Sequence, residues 1–161
     1  MRRLWAPWRM AWIDAPKAPA AGCVFCSARD SRDDRGTYLL ERSDHAFLIL
    51  NAYPYASGHL MAVVNRHVGR LTEADTVALA DMMRLVQRAV DALTAEYRAE
   101  GFNIGLNQGR AAGAGIEDHL HIHVVPRWSG DGNFVSVLGD TRVLPERLDT
   151  TWERLRGRLG G

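Results

Sequence analysis

A chain of 161 residues, 47% of them apolar and 24% charged, is long enough to bury one real core and too short for a second domain. Its net charge of +1 supplies neither the basic field of a nucleic-acid binder nor an acidic chaperone-like tail, so a partner must be recognised by a site rather than by a field. Lys17 is the one lysine among 20 basic residues, which argues against a P-loop lysine or Schiff-base chemistry and leaves arginine as the cation for any phosphate.

Residues 1–22 read as an N-terminal arm and connector. Trp5, Trp8 and Trp12 recur at spacings of three and four, which suits packing on the domain or on a second subunit better than direct base stacking. Charges and Pro7 interrupt this stretch, no signal-like apolar core follows, and no run of about eighteen apolar residues occurs anywhere. The expectation is a soluble cytoplasmic protein with no membrane partner. After Pro16 and Pro19 come the only two cysteines, in Cys23-Val24-Phe25-Cys26. A redox motif would need a preceding strand, so metal is the better reading, and a tetrahedral zinc would then need two further ligands, histidines from elsewhere. Residues 27–36 read as a charged, solvated loop.

Residues 38–41 and 45–51 look like strands, the second almost continuously apolar from Ala46 to Leu50, and both are expected to be central. Residues 51–58, Asn-Ala-Tyr-Pro-Tyr-Ala-Ser-Gly, form the turn to a return strand over 59–64. By residue type alone Asn51 is a turn residue, His59 a core histidine and His67 a surface one, while His45 is structural. Apolar residues from Leu79 to Tyr97 at spacings of three and four predict a long helix over 72–100, with Thr72 and Asp75 as a capping box and Gly101 as its terminator. A strand over 102–107 follows, then a Gly-rich turn over 108–115 whose backbone N–H groups could face a phosphate. Glu117 and Asp118 read as solvated, with support of a metal-bound histidine as the alternative.

His119-Leu-His-Ile-His-Val-Val125 then packs three of the six histidines into five residues. On a strand the imidazoles share one face and Leu120, Ile122 and Val124 the other. The outer histidines lie about 13 Å apart at Cα, too far for one metal to take all three, so they should have different tasks. Residues 129–134 form a flexible turn, 135–138 follow, and 145–159 form a charged amphipathic C-terminal helix ahead of a Gly-Gly end that should fray. The whole reads as one domain, with its core over 23–145 and a helix and tail over 146–161.

The alternating motif, with Pro126-Arg127-Trp128 after it, resembles the histidine triad (HIT) superfamily pattern His-φ-His-φ-His-φ-φ, where φ is apolar. Trp-Ala-Pro-Trp-Arg, Cys-x-x-Cys and the stretch from Gly113 to His121 bring it closest to the bacterial diadenosine-tetraphosphate phosphorylase and HIT hydrolase group. The resemblance implies an α+β fold: an antiparallel sheet of about five strands, a long helix, a C-terminal helix and pairing into dimers. It implies that His121 is the nucleophile in nucleotidyl transfer, with His123 and Gln108 on phosphate oxygens, Asn51 on ribose, His59 supporting the catalytic strand, and Asn107 and Gly115 in the phosphate loop. It also implies a structural zinc on Cys23, Cys26, His67 and His119.

The implied substrate is a nucleotide or dinucleoside polyphosphate. The rivals are a non-catalytic, zinc-stabilised nucleotide-binding protein and a zinc hydrolase using a His-x-His pair. One departure bears on the acceptor. Six residues before the central histidine, fragile-histidine-triad hydrolases carry glutamine and the phosphorylases serine, whereas this chain has Gly115, which favours water over phosphate.

Overall fold

The computed structural model describes residues 22–131 and 146–160. The tryptophans of the arm, residues 135–138 and the first residue expected in the C-terminal helix lie outside them. In chain order the elements are α1 (Val24–Asp30), β1 (Leu39–Arg42), β2 (Ala46–Leu50), β3 (Leu60–Val64), α2 (Thr76–Tyr97), β4 (Gly101–Gly105), β5 (His121–Arg127) and α3 (Leu148–Leu159). The five strands form one antiparallel sheet in the order β1-β2-β3-β5-β4. The α+β architecture expected from the sequence is the one found.

Alternation along the strands separates two cores. Leu48 and Leu50 of β2, Leu60 and Ala62 of β3, and Ile122 and Val124 of β5 face α2 and α3, where Met82, Leu85, Val86, Ala89, Leu93 and Leu155 complete the main core. The residues between them, Phe47, Ile49, Met61 and Val63, face the opposite way and pack with Phe25 and Ala28 of α1. Both faces of β2 and β3 are covered, which is why these strands read as continuous apolar runs. In register, Val63 pairs with His121 and Met61 with His123, so the histidines belong to the α1 face.

Several elements and boundaries differ from expectation. β1 is an edge strand, not a central one. Its burial comes from α3, whose Trp152 Nε1–H donates to Leu39 O at 2.8 Å and whose Arg156 donates to Leu40 O at 2.5 Å, closing an edge that would otherwise be open. Part of the expected charged loop is helical as α1, because Ser27 N–H bonds Cys23 O and Phe25 and Ala28 find a buried seat on the sheet. The long helix starts at Thr76, since Asp75 is itself the cap and accepts from Ala78 N–H at 2.7 Å, while residues 71–73 form a single 3-10 turn. It stops at Tyr97 because Arg98 takes the left-handed conformation, leaving Gly101 to open β4. β4 itself ends at Gly105, two residues short of Asn107. Among the described residues no helix is long and apolar enough to cross a membrane.

Candidate active site and metal centre

Four of the expected ligands converge. Cys23 caps α1 and Cys26 lies one turn on, so both sulfurs point the same way. His67 is delivered by the segment after β3, which is laid against the entry to β5 by the bond from Leu120 N–H to Val68 O at 2.7 Å. Gly69 permits that approach, since a Cβ there would meet Glu117 O at 2.5 Å. His119 completes the group, and one donor atom from each of the four residues lies within 4.8 Å of the others.

The distances and the chemistry fit a tetrahedral ion. Cys23 Sγ lies 3.2 Å and Cys26 Sγ 3.6 Å from His119 Nδ1, Cys26 Sγ lies 3.4 Å from His67 Nδ1, and the two Nδ1 atoms are 3.3 Å apart. Metal–ligand bonds of about 2.0–2.3 Å put tetrahedral donors roughly 3.3–3.8 Å apart. His119 Nε2 is 2.7 Å from Val64 O, an atom that can only accept, so Nε2 carries the proton and Nδ1 presents its lone pair to the cluster. Burial, followed by the neighbouring Cys23, pushes the Cys26 thiol up, and a cation held by the cluster would act in the opposite direction.

His121 and His123 follow on the same face, 5.0 Å apart at their ring centroids. His121 Nδ1–H donates to His119 O at 2.8 Å, which fixes Nε2 as the unprotonated nitrogen. The ring is only 4% exposed and packs on Phe25 at 5.1 Å. A second chain of bonds fixes His123. Tyr55 N–H donates to His59 Nδ1 at 3.1 Å, so neutral His59 carries its proton on Nε2. Nε2–H then donates to His123 Nδ1 at 3.0 Å, leaving His123 with an Nε2–H donor. Asn51 Nδ2 lies 3.4 Å from His59 Nε2, a proximity of two donors, while Asn51 Oδ1 accepts from Tyr53 N–H at 2.8 Å. Burial holds both triad rings below the usual histidine range, and His123, with His121 beside it, is depressed to about 4. Both are therefore neutral near pH 7.

The expected phosphate loop is less closely tied to the triad. Gln108 Oε1 accepts from Leu71 N–H at 2.8 Å, and the residue lines a polar groove of about 720 Å³ with His67, Thr72 and Glu117. It thus sits towards His67 and the start of α2. Asn107 is half-buried just beyond β4, and Gly115 is half-buried in the turn before His119. Glu117 pairs with Arg110 at 3.0 Å and Asp118 is exposed, so the backbone carbonyl of Val64 is what supports His119. Three contributors were not picked out from the sequence: Phe25 packed on His119 and His121, the Val64 carbonyl, and the Tyr55 amide. An aromatic residue inside the Cys-x-x-Cys was the one available signal.

This is the site of a histidine triad protein: the HIT domain family model matches residues 35–130, and the chain belongs to that family. Among its relatives is the AP-4-A phosphorylase of Mycobacterium tuberculosis, 35% identical over 158 residues that cover 94% of this chain and 80% of that one. Two solved structures share the fold. A Zn-bound histidine triad family protein from Mycobacterium smegmatis is 28% identical with a TM-score of 0.70, covering 87% of this chain and 94% of its own. A hypothetical histidine triad nucleotide-binding protein from Sulfolobus tokodaii is 27% identical with a TM-score of 0.69, covering 86% and 92%.

Two outcomes are expected from this geometry. The purified protein should carry about one metal ion per chain by elemental analysis. Cys23→Ser should lose it, with a lowered melting temperature that chelation of the wild type reproduces. The second concerns acid. The folded pKa of His123 lies below its unfolded value, so its neutral form contributes stability fully above about pH 6.5, and that contribution is lost as the pH falls towards 4. Between pH 7 and 5 the wild type should therefore lose roughly 1–2 kcal/mol more than His123→Asn in paired denaturant titrations. Equal losses in the two proteins would show that His123 is not held neutral.

Proposed function

We propose that this protein cleaves dinucleoside polyphosphates by transferring a nucleotidyl group to His121. The observation that carries the reading is the Nδ1–H bond from His121 to His119 O, which leaves a neutral imidazole with its Nε2 lone pair beside the Nε2–H donor of His123. Similarity to a protein named AP-4-A phosphorylase supports the substrate class. In the first step a bond forms between Nε2 and the α-phosphorus while the bond from that phosphorus to the bridging oxygen breaks. His123 donates to the phosphate oxygens on which charge builds, and Asn51 takes the ribose. The His121 ring keeps its Nδ1 proton, and its positive charge is offset by the His119 carbonyl and the anionic phosphoryl oxygens. An acceptor then displaces the nucleotide from His121.

Phosphate is the acceptor that the same similarity supports. Gly115 supports the second reading, water, because it offers no side-chain donor where the resemblance places a serine. Losing one such hydrogen bond to a charged group is worth roughly 1.5–3 kcal/mol. We further propose zinc as the metal, on two thiolate and two imidazole donors, in agreement with the Zn-bound relative. With all four positions filled by protein, such an ion holds α1, the segment after β3 and the triad strand together.

Dimerisation is proposed through β4, the edge strand opposite β1, whose Ile104 is 47% exposed. Sedimentation should return twice the chain mass of 17.9 kDa, and Ile104→Arg should return the single mass. Turnover is tested with diadenosine tetraphosphate. Quenched wild-type protein should show an adenylate on His121 by mass spectrometry, and His121→Ala should lose turnover while binding the nucleotide within about tenfold of wild type. Products of ADP plus ATP in millimolar phosphate would establish phosphorolysis, and AMP plus ATP hydrolysis. Wild-type turnover by His121→Ala would remove the reading.

A further inference from the structure

The four-residue cluster is closed on one side and open on the other. His119 is fully buried, whereas Cys23 and Cys26 are only half-buried and His67 is exposed. Buried cysteines are inert, but sulfurs at a partly open site are within reach of a small solute. Their position favours one reaction between them. Residues three apart on the first turn of a helix have Cα atoms about 5 Å apart, inside the span that a disulfide bridges. The two sulfurs already lie within 4.8 Å of each other. They belong to the only two cysteines in the chain, so within the molecule each has the other as its one possible partner.

What the two sulfurs hold decides the consequence of joining them. With the sulfurs bonded to each other, only His67 and His119 remain as donors, two short of a tetrahedral site. The start of α1 then loses its tie to the segment after β3 and to the triad strand. Its first turn rests on the packing of Phe25, while Arg29 at the other end keeps its bond to Asn65 O. A helix of seven residues has little stability of its own. Phe25 lies between the two cysteines and carries the ring contacts of α1 to the triad, 5.4 Å from His119 and 5.1 Å from His121. Loss of the metal is therefore felt first at the residue that packs on the proposed nucleophile.

We propose that Cys23 and Cys26 are a reversible oxidation site through which a hydroperoxide switches the nucleophile off. This rests on the metal and nucleotidyl-transfer readings and adds their regulation. One thiolate sulfur attacks a peroxide oxygen, the O–O bond breaks and hydroxide or alkoxide leaves, giving a sulfenic acid. The other sulfur attacks the first, the S–S bond forms and hydroxide departs. The pair gives up two electrons, the peroxide takes them, and the metal ion passes to solvent. His119 is then no longer tied to α1 through Nδ1, and Phe25 is free to leave the His121 ring.

The test treats metal-loaded wild type with hydrogen peroxide in the presence of a chromogenic zinc chelator. Release of about one metal ion per chain should accompany loss of both thiols and a disulfide between Cys23 and Cys26 in peptide mass maps. Hydrogen exchange should quicken over residues 23–28. Adenylation of His121 by diadenosine tetraphosphate should slow by roughly tenfold or more, as expected when a reacting group is misplaced. Dithiothreitol with zinc should reverse every change, which oxidation of methionine would not allow. Metal retained under peroxide, cysteines driven to sulfinic acid without a disulfide, or a disulfide with adenylation unchanged would each overturn the switch. Untreated protein that holds metal but forms no histidine adduct overturns the nucleotidyl reading, untreated protein without metal overturns the metal reading, and the switch falls with either.

Discussion

His119 is bonded in three directions. Its Nε2–H goes to Val64 O on β3, its Nδ1 faces Cys23, Cys26 and His67, and its backbone carbonyl receives the Nδ1–H of His121. The first bond selects the tautomer that makes the second possible, and the third places the next histidine of the motif. Any rotation of the His119 peptide would move the ring donor and the carbonyl acceptor together. The period of two makes this economy possible. His119 and His121 share a face, so the carbonyl of one lies within reach of the ring of the other, while Leu120 and Ile122 anchor the same stretch of backbone in the main core.

The proposed metal and the proposed nucleophile are therefore parts of one construction. α1 is only seven residues long, and little but packing and its cysteines would hold so short a helix in place. Phe25, between those cysteines, lies 5.4 Å from the His119 ring and 5.1 Å from that of His121. A metal ion on Cys23 and Cys26 would thus fix the wall against which the nucleophile rests as well as the residue that orients it.

How much of this was legible depends on whether the signal was local. The alternation of the triad, the apolar run of Ala46 to Leu50 and the helical spacing from Leu79 to Tyr97 are short-range patterns, and each places its residues on the expected face. Ligand types were legible too, but Cys26 is 41 residues from His67 and 93 from His119, and only the register of β3 against β5 brings them together. The ends of α2 moved for local reasons, at Asp75 and Arg98, whereas β1 and α1 were misread because their partners are distant in sequence. β1 has the composition of a central strand because Trp152 and Arg156, more than a hundred residues away, cover its edge. The residues of α1 carry no strong helical pattern and are ordered by burial of Phe25 and Ala28. For Gln108, which the resemblance gives to phosphate, the Leu71 amide that its oxygen accepts from is likewise 37 residues away and not legible from its neighbours.

The electrostatic character of the site follows from the same burial. A polyphosphate is strongly anionic, yet both triad histidines that would handle it are neutral, and His123 is held at about 4. Charged imidazoles would attract the substrate more strongly but could not do this chemistry. A protonated His121 has no lone pair, and a protonated His123 would lose its acceptor site for the His59 Nε2–H and break the relay from the Tyr55 amide. Neutrality leaves hydrogen-bond donors, with positions fixed beforehand, to stabilise charge as it develops on the phosphate oxygens, and inside a site where His121 is 4% exposed such donors act with little competition from water. Burial thus disfavours the two protonation states in which the proposed nucleophile and its donor would fail.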